Sequence, residues 1–388
     1  MNILQSPHFQ DFKVVLSLLG QWPSQSRLQR YSARFFVLFA IFSILTPKVI
    51  KFVEVIDDID GIIACLPMIF VHLTSLTKYF NWIINASKFD HLIFLIERDG
   101  KTLEVNQDIE IMDDWLRKIK SVSTTYTTSM FGILGVFLVS PAFPKVLDII
   151  NPLNESRPLL QIYETEYFVD ENEYYLYILL HAYMTVPISM GVLIYFDILL
   201  GTHVYHACAM FEILRTYLKT IHIEICDEQV EVKDKSKKII HCVRMHRTTL
   251  EFADEIDAAY STAWFIMLIT CLVGLTFTGT AVRLIIIDNL LETNEAIKYV
   301  SFCTGHAFHL YFTSFQGQLL IDNSEAVFYD TLWYRIPVLY QKLLITIMMR
   351  SMNPCRISAG KVYILAMDTF SSVIQKAMSF FTVLSSMR

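Results

Sequence analysis

The motifs this chain lacks narrow its chemistry. It has no glycine-rich phosphate loop, no serine nucleophile elbow and no Cys-x-x-Cys pair, so it shows no cradle for nucleotide phosphates, no activated hydroxyl and no paired thiols. His203 and His206, and again His306 and His309, place two imidazoles on neighbouring helix positions. Neither pair comes with the acidic base or third ligand of a zinc hydrolase. The expectation is a non-enzyme with no metal and no cofactor. Basic residues gather at Lys233, Lys235, Lys237 and Lys238, but Asp227, Glu228, Glu231 and Asp234 are interleaved with them. That mixture reads as a solvated loop and argues against a nucleic-acid partner. A secretory signal is missing too, because Asp11, Gln21, Pro23 and several basic residues occupy the stretch where its apolar core would lie.

Hydrophobic surface, by contrast, is abundant. Hydrophobic residues make up 54% of the 388 and aromatic residues 13%, with a mean hydropathy of +0.42. That is more than a soluble core of this size hides, and the class expected is an all-α polytopic membrane protein. Windows long enough to cross about 30 Å of hydrocarbon fall near residues 33–54, 62–85, 123–147, 174–201, 260–287, 296–320 and 358–385. Seven crossings put the termini on opposite sides, and the first span serves as its own insertion signal. Three regions follow: a six-helix transmembrane ligand-binding region over 1–320, an anchor segment over 321–357, and a last helix over 358–388. Taken as continuous, that helix would reach roughly 45 Å at 1.5 Å per residue.

Orientation follows from Lys and Arg, which gather in cytoplasmic loops. With the N-terminus inside, the inner segments hold twenty-three of these residues and the outer segments six. The outer side also carries Glu155, Glu164, Glu166, Asp170, Glu171 and Glu173. The expected arrangement is a cytoplasmic N-terminus and an extracellular C-terminus. Asn154-Glu155-Ser156, a glycosylation acceptor, lies in the outer loop between spans three and four. Cys65, Cys208, Cys226, Cys242, Cys271, Cys303 and Cys355 are scattered and none falls in a predicted outer loop, so no extracellular disulfide framework is implied.

The last seventy residues carry the most specific motifs. Gly317-Gln318-Leu319 is followed by Ser324, Ala326, Tyr329 and Trp333-Tyr334; Ala359-Gly360 stands ahead of the last helix; Phe370 leads to Lys376-Ala377-Met378-Ser379-Phe380-Phe381-Thr382-Val383-Leu384. Together with the inverted seven-span topology, these stretches resemble the insect odorant receptor family. The segment from about 202 to 250 has no long insertion, which makes the chain similar to the odorant-tuning subunit rather than the shared coreceptor. The resemblance implies an odorant-binding subunit of a ligand-gated, non-selective cation channel. Its implied partners are the olfactory coreceptor, in a heterotetramer, a small volatile odorant, and the lipid of the plasma membrane of sensory neurons.

Roles for particular residues follow from the same resemblance. The last helix would line the pore, and Ser372, Gln375, Ser379, Thr382 and Ser386 do recur every three or four residues along it. Small polar residues equally let membrane helices pack closely. The gate would be an apolar ring of Val383 and Met387 that closes by dewetting, with Ser386 adding a hydroxyl. Met387 departs from the branched residue the family pattern has there. Residues 321–350 would carry assembly, with Ser324, Tyr329, Trp333, Tyr334 and Tyr340 as contacts, or would instead form an amphipathic helix on the membrane surface.

The odorant pocket would lie among the outer halves of spans two, three, four and six. Candidates there are Ile69, Phe70, His72 and Leu73; Ser129, Gly132, Gly135 and Val136; Met184 and Pro187; and Tyr299, Phe302, Cys303 and His306. His72 and His306 stand out because ionisable groups inside spans are costly and often functional, although a neutral histidine bonded to a neighbouring helix fits them equally. Gly132 and Gly135 either widen a pocket or permit close helix approach. Alternatives to the channel subunit are a receptor signalling through a G protein, which the charge pattern opposes, and a gustatory-type receptor channel. A transporter would show internal repeats, and the two halves show no such duplication.

Overall fold

Residues 3–151, 157, 160–226, 232–287, 293–330 and 332–386 are described by the computed structural model, and their backbone is almost entirely helical. Helix α1 (Pro7–Leu18) is amphipathic and buries Phe9, Phe12 and Leu16 along one face. Helix α2 (Arg27–Glu54) starts at a capping box, in which Ser26 Oγ accepts from the Gln29 amide and Gln29 Oε1 accepts from the Ser26 amide. Helix α3 (Ile59–Ile84) starts at Asp58, whose carboxylate accepts from the Asp60 and Gly61 amides at 3.1 Å each. Helices α4 (Ala86–Thr102) and α5 (Asn106–Val139) follow. Pro141 ends α5 in a 3-10 turn, and Pro144 sits in the first turn of α6 (Phe143–Ile150), where a missing donor costs nothing.

The second half is built from longer helices: α7 (Tyr175–Cys226), α8 (Val232–Ile287), α9 (Thr293–Asp330) and α10 (Val338–Ser351). A two-residue hairpin, β1 (Ser358–Ala359) with β2 (Tyr363–Ile364), then precedes α11 (Met367–Ser386). Five segments are long and apolar enough to cross a membrane by length and composition: Arg27–Glu54, Ile59–Ile84, Asn106–Ile150, Tyr175–Ile223 and Lys233–Arg283. The remaining two expected spans fall on α9 and α11. Their hydropathy is diluted by His306, His309, Thr313, Gln316 and Gln318 in α9 and by Ser, Gln and Thr in α11.

Of residues 202–250, between two expected spans, 202–226 and 232–250 are helix, including the Lys233–Lys238 stretch expected as a solvated loop. Val204, Cys208, Phe211, Leu214, Leu218, Ile221 and Ile225 recur every three or four residues on α7 and are buried. They share one core with Ile239, Cys242, Ala253 and Ile256 of α8. This stripe carries both helices well past the bilayer, since the 52 residues of α7 extend roughly 78 Å. The last helix also differs from expectation: it begins at Met367, not Ser358. Gly360 at φ +61° and Lys361 at φ +59° occupy the left-handed region, which breaks a right-handed helix at that point. A Cβ on Gly360 would stand 2.7 Å from the Phe265 ring, so the turn also needs glycine for space.

Helix α7 lies at the centre, packed against α2, α3, α5, α8 and α9. Buried Trp82, Phe89, Phe196, Tyr260 and Trp264 form a ring-on-ring cluster around it, each pair adding about 0.5–1.5 kcal/mol beyond area burial.

Candidate ligand pocket and pore helix

A partly open cavity of about 70 Å³ lies between α3, α5, α7, α8 and α9, toward the end of the bundle where α2 meets α3. It offers roughly five times the space one water needs. Its wall consists of Met68, Val71 and Thr74; Met130, Ile133, Leu134 and Phe137; Val186, Met190 and Leu193; Met267 and Cys271; and Ser301, Phe302, Gly305, His306 and His309. Spacings of three and four on each helix turn one stripe inward. Apart from one threonine, one serine and two histidines the lining is apolar, as a site for a small apolar molecule has to be.

Of the fourteen pocket residues expected from sequence, Phe302 and His306 line this cavity. The other helices are rotated away from expectation. On α3 the cavity meets Met68, Val71 and Thr74, while Ile69 is buried in the core, Phe70 is half-buried and Leu73 faces outward. Ser129 is half-buried beside the lining, Gly132 and Gly135 have open space where a side chain would be, and Val136 is exposed. Met184 is exposed and Pro187 half-buried on α7, one position from the cavity residue Val186. Tyr299 packs with Ile63 and Ala281, and Cys303 packs against the main core. The charge-bearing residues nearest the cavity, and Met267 and Cys271 of α8, are absent from the sequence-based set.

His72 is fully buried but belongs to a helix seam. Its Nε2 lies 2.8 Å from Lys48 Nζ and its Nδ1 2.9 Å from Ser189 Oγ. A lysine can only donate, so Nε2 accepts and Nδ1 carries the proton that goes to Ser189. Lys48 Nζ also sits 3.5 Å from the centre of the Tyr163 ring, and the Glu166 amide donates to Pro47 O at 3.1 Å, which holds residues 160–167 against α2. Deeper in the bundle, Lys78 Nζ is 2.5 Å from Asp197 Oδ1 and 2.7 Å from His309 Nε2. Tyr126 OH donates to Asp197 Oδ2 at 2.8 Å. Four helices are thereby tied together directly beneath the cavity, whose wall His309 completes. A search for charges inside spans would have found Lys78 and Asp197.

The hairpin explains the C-terminal motifs. A Cβ on Gly317 would fall 2.1 Å from Leu365 O, so only glycine lets the segment before α11 lie against α9. Gln318 Oε1 accepts from the Met367 amide at 3.3 Å, and Asp257 Oδ1 accepts from the Ser358 amide and hydroxyl at 2.5 and 2.7 Å. The Gly360 amide donates to Ser261 O at 3.0 Å. On α11, Val373 and Ala377 are buried, Ser372 is half-buried, and Gln375, Ser379, Thr382 and Val383 are exposed. The backbone of Ser386 closes the helix, and Met387 lies outside the described residues, as does the glycosylation acceptor Asn154.

Beyond the bilayer, two expected assembly residues serve the chain itself. Ser324 is buried, accepts from the Cys355 amide at 2.9 Å and donates to Ile321 O at 3.0 Å. Tyr340 is buried in the core. Tyr329, Trp333 and Tyr334 remain at the surface, near exposed Val338, Leu339 and Met349 of α10. Asp330, at the end of α9, bonds Arg215 at 2.5 Å and Lys219 at 3.2 Å. Partial burial works against its ionisation, but those bonds outweigh it and hold the carboxyl below its ordinary range.

Residues 58–378 match the 7tm odorant receptor family. Odorant receptor 49a of Drosophila melanogaster is 31% identical over 93 residues, covering 23% of this chain and 24% of that receptor. Odorant receptor 10 of Aedes albopictus is 21% identical over 154 residues, 40% of each chain. The chain thus aligns with less than half the length of these relatives. Its fold superposes on olfactory receptor 5 of the insect Machilis hrabei, in complex with eugenol, with a TM-score of 0.80 at 13% identity over 98% of this chain and 97% of that one. A second structure of that receptor gives 0.75 with the same coverage. At such identity the likeness is one of fold, that of an all-α, seven-helix membrane protein.

Proposed function

The chain belongs to the 7tm odorant receptor family, and on that premise we propose that it is the odorant-binding subunit of a ligand-gated, non-selective cation channel formed with the olfactory coreceptor as a heterotetramer. Its place is the plasma membrane of sensory neurons, with the N-terminus cytoplasmic and the C-terminus extracellular. The observation that carries the reading is an apolar cavity within the helix bundle sharing a helix with the support of α11. Helix α9 lines the cavity with Phe302 and His306, and four turns on it carries the Gly317 and Gln318 contacts that seat the start of α11.

A volatile odorant is small and mostly apolar, so burial in such a cavity supplies its affinity. An agonist works by binding the open arrangement more tightly than the closed one. Movement of α9 would be passed to α11 through Gly317 and Gln318, and the Val383 and Met387 ring would wet. Helix α11 buries one side and leaves Gln375, Ser379, Thr382 and Val383 uncovered, which suits a helix that faces water and neighbouring subunits. The apolar surface of Val338, Leu339 and Met349 lies beyond the bilayer, where a neighbouring subunit would cover it.

Whole-cell current tests this. Cells expressing the chain with and without an insect coreceptor are exposed to a broad odorant panel while G-protein signalling is blocked. Cation current that requires the coreceptor and changes with substitution at Val383 supports the channel subunit. Responses that need no coreceptor and vanish under the block favour the G-protein reading instead.

A further inference from the structure

Resting on the reading of the cavity as an odorant site, we propose that it selects odorants carrying a hydrogen-bond donor, alcohols and phenols, over ethers and aldehydes of equal size, with His306 Nε2 as the acceptor. His306 Nδ1 lies 2.9 Å from the carbonyl oxygen of Phe302, one turn earlier on α9. A carbonyl oxygen only accepts, so the ring proton must sit on Nδ1. In the neutral imidazole this leaves Nε2 a lone pair and no proton. A second proton would create a cation inside an apolar wall. The buried carboxylate of the bundle beside the cavity, Asp197, is already taken by Lys78 and Tyr126. Burying an uncompensated charge is far costlier than keeping the ring neutral.

Among the described residues Nε2 has no hydrogen-bond partner. It lies against Gly274 of α8, where a Cβ would stand 2.9 Å away, so the absence of a side chain at Gly274 makes room for the ring edge. The other polar groups of the wall do not compete for the same role. Thr74 Oγ1 donates to Phe70 O at 2.8 Å, and His309 Nε2 is held between Lys78 and Asp197. Ser301 has a hydroxyl that takes either role and does not discriminate. His306 Nε2 is thus a directional acceptor in a mostly hydrocarbon wall. A ligand O–H satisfies it, whereas an ether or aldehyde oxygen meets it lone pair to lone pair.

Isomeric ligands isolate this contact from size and hydrophobicity. Binding of 1-octanol against heptyl methyl ether, and of 4-ethylphenol against 4-methylanisole, is measured on the purified full chain, in parallel with coreceptor-dependent current. The hydroxyl isomer of each pair should bind roughly two- to tenfold tighter, the usual worth of one neutral hydrogen bond. In His306→Phe the ratio should fall to near one with the ether affinity largely kept. Gly274→Ala, which displaces the ring edge without changing its chemistry, should also shrink the ratio, and it serves if His306→Phe does not fold. Equal binding of the isomers, or a preference that survives both substitutions, overturns the proposal. Failure of all four compounds to bind overturns it as well. A hydroxyl preference in binding without any current leaves the proposal standing and sinks the channel reading; current with no preference does the reverse.

Discussion

Removing the Asp197 carboxylate should be the most damaging single change in the bundle. Asp197 faces Lys78 at 2.5 Å and both side chains have no exposed surface, while Tyr126 OH donates to its second oxygen at 2.8 Å and His309 Nε2 lies 3.1 Å from that oxygen. Asp197→Ala leaves the Lys78 ammonium with the neutral His309 ring and the Phe196 and Trp264 rings but no counter-charge, and breaking such a buried pair from one side costs about 3–5 kcal/mol. For a chain this long each kcal/mol is worth a degree or two, so the melting temperature should fall on the order of 5 °C. Lys78→Met should cost less, because the carboxylate keeps the Tyr126 hydroxyl as a donor and His309 Nε2, no longer accepting from Lys78, is free to carry a proton toward it. Lys78→Met/Asp197→Leu removes both charges and should recover much of the loss, giving a coupling energy of up to about 3 kcal/mol. The assay is thermal unfolding of the detergent-solubilised protein at neutral pH, read as the folded fraction surviving size exclusion. A melting point for Asp197→Ala within about a degree of the unsubstituted protein, or a double variant as unstable as the two losses added, would refute the reasoning.

Gly317→Ala should push the hairpin and α11 away from α9, since its Cβ would meet Leu365 O at 2.1 Å; the expected result is loss of coreceptor-dependent current with ligand binding largely retained, compared at equal surface labelling. Ser324→Ala leaves the buried Cys355 amide unpaired and should cost about 1–3 kcal/mol in melting without changing oligomer size on a sizing column; a shift to smaller species would restore its assembly role. Asp330 and Asp99 titrate below the ordinary carboxylate range, burial being outweighed by Arg215 and Lys219 in one case and by His206 and Arg98 in the other. A depressed carboxyl stabilises the fold above its unfolded pKa and loses that effect as pH falls through the folded value. The melting difference between Asp330→Asn and the unsubstituted protein should therefore be constant at neutral pH and shrink below about pH 4.

Class and span number were legible because hydrophobic length is a one-dimensional property. The windows near 33–54, 62–85 and 174–201 lie inside α2, α3 and α7, overrunning them by one residue at most, and the charge bias along the chain is equally local. The Gly317-Gln318 and Ala359-Gly360 motifs were visible too, but their reason was not. That reason is a 2.1 Å approach of Leu365 O to the site of a missing Cβ and a positive φ at residue 360, both set by residues far apart in sequence. The same holds for Ser324, which looked like an intersubunit contact and bonds the Cys355 amide of its own chain.

By itself, then, the order of residues determined that this is a multi-span helical membrane protein and where its most apolar stretches run, though not the full extent of α7, α8 and α11. Tertiary structure decided which side of each helix faces inward. A single-residue step turns a helical position by about 100°, and when lipid and cavity are both apolar no periodicity separates Ile69 and Leu73 from Met68 and Val71. Tertiary structure also decided that Lys78 meets Asp197, 119 residues away, and that the ring proton of His306 is held by Phe302. A partner's position and a proton's place depend on three-dimensional distance, which hydrophobic patterning along one chain does not encode.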